Sequence, residues 1–149
     1  MKRLALVAFT ILASLTGYHP VPSPAAPALG APLSAMAESG DGAFARAYRS
    51  RTSDIQLTGS GTVVRVLPDD TRGSRHQRFI VRLDSGQSLL IAHNIDLAPR
   101  VPSLKKGDRV RFSGEYEWNK KGGTMHWTHH DPRGVHEAGW IEHNGQKYQ

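Results

Sequence analysis

Five of the chain's eight histidines and two of its three tryptophans fall between Met125 and His143, in the run M-H-W-T-H-H-D-P-R-G-V-H-E-A-G-W-I-E-H. Imidazole changes charge near neutral pH and is the commonest metal ligand, so acid-base or metal chemistry would be sited here. The candidate ligands for zinc or another divalent transition metal are His126, His129, His130, Asp131, His136 and His143. Spacing narrows the choice. On a continued strand His126 and His130 share a face but stand about 13 Å apart, too far to hold one ion together. A turn at His129-His130-Asp131, ended by Pro132, could instead gather these groups with His136 or His143 and leave one position open to water.

Such a site would serve a metal-dependent hydrolase of nuclease or phosphodiesterase type, with Asp131, Glu137 or Glu142 as acid-base partners. The spacing matches no H-E-x-x-H signature, and no serine elbow, cysteine nucleophile or phosphate-cradling glycine loop accompanies it. A structural reading stands beside the chemical one. Trp127 continues the Met125 face and is expected inward, as is Trp140. His129, His130 and Asp131 can fix a turn through hydrogen bonds to backbone, and His136 and His143 can be exposed.

The elements that must position these residues are short strands. Gly59 to Leu67 is β-branched and opens with glycines, which suits a bent first strand. Arg78 to Leu83 points Phe79, Val81 and Leu83 inward and Arg78 and Arg82 outward, and Asp84-Ser85-Gly86 turns it into Ser88 to Ala92. Arg109 to Asn119 alternates most clearly, with Val110, Phe112, Gly114, Tyr116 and Trp118 on one face. Lys120-Lys121-Gly122-Gly123 then turns the chain into Thr124 to Thr128. A last hairpin is expected from Ala138 to Tyr148 around Asn144-Gly145. Five short strands with a long connection between the third and fourth predict an all-β chain. Its expected form is a small five-stranded barrel like the oligonucleotide/oligosaccharide-binding (OB) fold, with a C-terminal hairpin. The passage L-K-K-G-D-R-V-R-F-S-G from Leu104 resembles the third-to-fourth strand passage of such barrels.

The N-terminus reads differently. Met1-Lys2-Arg3 precedes the apolar run Leu4 to Leu15, too short for an ordinary membrane span, and the pattern is that of a secretory signal. Ala35-Met36-Ala37 is the best cleavage candidate, beyond a Pro/Ala-rich leader. The expected organisation is therefore a signal peptide and leader over 1–37, a disordered linker over 38–53 with a short helix from Ala43, and the barrel over 54–149. The chain contains no cysteine, so disulfides, thiolate metal sites and a lipidated cysteine are excluded. A periplasmic or secreted protein of a bacterium is expected, with no transmembrane segment after processing. Taking Lys2 and Arg3 from 19 basic residues leaves 17 against 13 acidic ones, a mildly basic domain.

In OB barrels the ligand face is built by strands two and three with the loops joining strands one to two and four to five. Arg72, Arg75 and His76 fall in the first loop, Lys120 and Lys121 in the second, and Arg78 and Arg82 on strand two. These seven are the candidate ligand-binding residues, and an anionic or glycan ligand of the cell envelope is the expected partner. Single-stranded nucleic acid ranks below it, because base stacking needs exposed aromatics and the candidates are assigned inward.

Three motifs together resemble a known family. They are G-x-V-x-x-V-L-P-D-D from Gly61, G-D-R-V-R-F-S-G-E-Y-E-W-N from Gly107, and H-W-T-H-H-D-P-x-G-x-H-x-x-G-W-I from His126. The family comprises small exported bacterial proteins characterised only as a domain of unknown function. The resemblance covers roughly Leu57 to Tyr148. It implies export and an OB-like barrel, and it transfers no catalytic residue.

Overall fold

The computed structural model describes residues 40–149, so the expected signal peptide, leader and start of the linker lie outside the described residues. Helix α1 spans Gly40–Ser50, and seven strands follow. They are β1 (Ile55–Val66), β2 (His76–Arg82), β3 (Ser88–Asn94), β4 (Arg109–Glu117), β5 (Thr124–His126), β6 (Trp140–His143) and β7 (Gln146–Tyr148). Strands one to five close a barrel in the order β1-β2-β3-β5-β4 with β4 returning to β1, and β6 and β7 extend the sheet beyond β4. All pairings are antiparallel except β3 with β5. The fold is the expected five-stranded OB-like barrel with a C-terminal hairpin.

The helix begins and ends three residues earlier than its sequence pattern predicts. Arg51 adopts a left-handed φ of 54°, and the Arg51 and Thr52 amides donate back to Tyr48 and Ala47, which closes the last turn. Phe44 is fully buried, its ring edge-on to Tyr116 and tilted against Phe112. The helix therefore plugs one side of the barrel. Gly59 makes room for it, since a Cβ there would stand 2.6 Å from the Phe44 ring.

One long strand serves two neighbours. Ile55 to Thr62 of β1 pair with β4, and Thr62 to Val66 pair with β2. The β2 register slips between Val63 and Arg65: Val63 faces Val81, and Arg65 faces Ile80. Such a bulge breaks strict alternation and re-aims the side chains beyond it. Alternation holds in β2, β3 and β4, where Phe79, Val81, Leu89, Ile91, Val110 and Phe112 point inward and are buried.

The final barrel strand is interrupted. β5 pairs with Glu115 to Glu117 of β4 and β6 pairs with Val110 to Ser113 of the same strand, so residues 127–139 form a loop thrown out between two halves of one edge. Gly139 returns the chain to the sheet, its amide donating to His129 O. Asn144 (φ 51°) and Gly145 (φ 76°) then make the expected tight turn between β6 and β7. Among the described residues, no helix is long and apolar enough to cross a membrane.

Candidate binding groove

The outer face of β1–β3 carries a groove of about 640 Å³. Strand pairing builds its floor: Arg65 lies opposite Ile80, Ile80 opposite Leu90, and Leu90 opposite Thr124, a row across four strands on the side away from the core. Val64 and Leu67 extend the aliphatic surface. Arg65, Arg82, Lys120 and Lys121 edge it, and among the described residues no carboxylate lines it. None of these four cations makes an ion pair among the described residues.

The turn that presents the two lysines is fixed by its own polar atoms. Asn119 Oδ1 accepts from the Lys121 and Gly123 amides, and its Nδ2 donates to Thr124 Oγ1. Lys120 O accepts from Tyr48 of the helix, and Gly122 O from Gln87 and Tyr116. Gly122 and Gly123 have φ of 118° and 115°, and a Cβ on Gly123 would run into the Tyr116 ring. Only glycine fits there.

The expected ligand-binding residues divide into two groups. Arg82, Lys120 and Lys121 meet at the groove. Arg72, Arg75 and Arg78 do not line it, and each has an aspartate. Asp70 accepts from the Arg72 amide and pairs with Arg72 and Arg78 at 3.5 Å, while Arg78 also donates twice to Pro68 O. Asp96, across the barrel end, takes the Arg75 amide at 2.7 Å and its Nε at 2.6 Å. Those amides, followed by the guanidinium groups, hold both carboxyls below their ordinary value. His76 places Nδ1 2.8 Å from Ser74 O and likewise stands apart from the groove. Arg65 is the residue the sequence reading passed over. The bulge between Val63 and Arg65 turns it onto the groove face, and the glycines at 59 and 61 with the valines on either side of Arg65 were the available signal.

The histidine segment disperses. His129 Nδ1 lies 2.8 Å from His130 O, and His130 is exposed. His143 is buried with Nε2 2.9 Å from Asp108 Oδ2, against the expectation that it is exposed. Asp131 accepts from the amides of Arg133, Val135 and His136 at 3.0, 2.8 and 3.0 Å. Those bonds hold its carboxyl down to about 2. His126 Nε2 is buried without a hydrogen-bond partner, 3.6 Å from Glu115 and 3.5 Å from Glu117, and His136 Nδ1 is 3.4 Å from Glu115. Among the described residues, no three His, Asp or Glu side chains come together as a metal-holding group. His126 and His136 share Glu115, while His129, Asp131 and His143 are held by other partners, so the six expected ligands do not converge on one point.

The two tryptophans of this segment are not core residues. Trp127 has a φ of 52°, which turns the chain off β5 and ends the Met125 alternation; its ring stacks on His136 with centroids 3.7 Å apart. Trp140 neighbours inward-facing Ile141, so it points outward, where Arg111 and Lys147 lie against its ring. Buried polar groups elsewhere are satisfied: Gln77 bonds twice to Val101, and His93 sits between Thr128 and Pro99, with burial lowering its pKa.

No curated protein matches the chain. A family model described as "Protein of unknown function (DUF3465)" matches residues 29–149. With its barrel, groove and interrupted last strand in place, and most of its length covered by that model, the chain belongs to the family of proteins of unknown function DUF3465.

Proposed function

We propose that this protein is an exported binding module that captures an anionic ligand of the cell envelope in the groove across β1–β3. The observation that carries this reading is the charge of the groove: Arg65, Arg82, Lys120 and Lys121 border it with no carboxylate in the lining and no ion-pair partner among the described residues. Cations that are not neutralised within the fold leave a positive potential that raises the local concentration of anions. Export is the expectation from the basic start, the short apolar run and the absence of cysteine.

Charge reversal tests it. Dextran sulfate binding, followed by titration at low salt, is expected to weaken about five-fold for each of Arg82→Glu, Lys120→Glu and Lys121→Glu, as the loss of about 1 kcal/mol per close charge contact implies. Arg72→Glu and Arg75→Glu serve as controls, because those side chains already face aspartates. His126→Ala, His129→Ala and His136→Ala should leave binding unchanged. Equal losses at the paired and the groove arginines, or losses confined to the histidine variants, would overturn the assignment.

A further inference from the structure

We infer that the groove takes an amphiphilic anion, a single charged head carrying an aliphatic body; this rests on the anion-binding reading of the same groove. The floor is aliphatic, made by Val64, Leu67, Ile80 and Leu90, and the cations stand at its border. A glycan would require side chains that hydrogen-bond sugar hydroxyls. Among the described residues the neutral polar side chains of the lining are Ser88 and Asn119; Asn119 already spends both ends on Thr124 and on the Lys121 and Gly123 amides, which leaves the Ser88 hydroxyl alone to answer a sugar. Single-stranded nucleic acid would require rings on which bases stack. Among the described residues, no aromatic side chain lines the groove. Trp118 lies against Tyr48, Trp127 against His136, and Trp140 between Arg111 and Lys147. What remains is hydrocarbon surface beside positive charge, complementary to an anion with an alkyl chain.

The arrangement also divides the labour between the two kinds of contact. Desolvating the floor favours any aliphatic chain in proportion to its length. The cations favour any anion and set which way round the molecule lies. Neither contact alone selects a ligand. Together they reject inorganic anions, which leave the floor wet, and neutral alkanes, which leave the cations unanswered.

The test is a ladder of n-alkyl sulfates with four, six, eight and ten carbons, each below its self-association concentration. Binding to the purified protein is measured by calorimetry beside inorganic sulfate, dextran sulfate and poly-glutamate. Affinity is expected to rise about four-fold per methylene until the floor is covered. Ile80→Asn, a change at a half-exposed position, should flatten the ladder, whereas Lys120→Glu should lower every rung by a similar factor. Affinity independent of chain length, with dextran sulfate still captured through Arg82, Lys120 and Lys121, would overturn the amphiphile and leave the anion reading standing. Tighter capture of dextran sulfate or poly-glutamate than of the longest sulfate would likewise overturn it in favour of a polymer. Failure of every anion to bind would remove both readings.

Discussion

The carboxylate of Asp131 is occupied by the amides of its own loop, and that makes it a sensor of acid unfolding. Its folded value of about 2 lies below the ordinary 3.8, so the ionised form favours the folded state. The contribution is fully present above pH 4 and is lost as pH falls through about 2. Asp131→Asn is therefore expected to lower the thermal midpoint at pH 5, with the gap to the parent closing by pH 1.5. A gap that stays constant over that range would show that the bonds act without the charge. The residue types of this segment were legible in the sequence, including a turn-fixing role for Asp131. Where each ring points was not, because Trp127 leaves the strand through a left-handed conformation that no periodicity announces. The same holds for the arginines. Arg75 reads as a free cation until the fold carries Asp96 to it from the far end of β3.

Strands with clean alternation were readable: β2 and β4 place inward the residues their two-residue period assigns. Two elements were not, for different reasons. Strand β1 carries a bulge, and a one-residue slip moves Arg65 to the face that its position in a regular strand would deny it. Helix α1 lies three residues ahead of its sequence pattern and belongs to the barrel instead of a linker, because its stop depends on a left-handed Arg51 in place of the usual glycine. Its contribution is tertiary. Phe44 fills the space between Gly59, Phe112 and Tyr116, so Phe44→Ala should destabilise the protein by about 3–5 kcal/mol in urea unfolding. A loss under about 1 kcal/mol would mean that the barrel closes without its helix.

At the scale of the whole molecule, a formal charge of +6 says little about where the charge acts. Surface pairs such as Arg109 with Asp84 and Arg111 with Glu142 neutralise much of one side, while the groove retains its cations. Capture of a sulfated probe should accordingly weaken as salt rises from about 0.05 to 0.5 M, over which the screening length shrinks to a few ångströms. In a Lys120→Glu/Lys121→Glu double variant the same titration should be nearly flat. A salt response unchanged in that variant would place the positive field elsewhere.

The pairing that closes the barrel joins Ile55 to Tyr116 and Thr62 to Arg109, partners 61 and 47 positions apart in the chain. A contact of that span cannot form until the intervening loop entropy has been overcome, so the closing seam belongs to the late events of folding and sets a slow rate for a chain of this size. Until it forms, β1 and β4 each present an unpaired edge to other chains. Gly59 and Gly61, which lie on that seam, weaken the intrinsic strand preference of β1 and so make it a poorer edge for a wrong neighbour. The two glycines in the middle of the first strand thus guard the nascent chain as well as shaping the finished barrel.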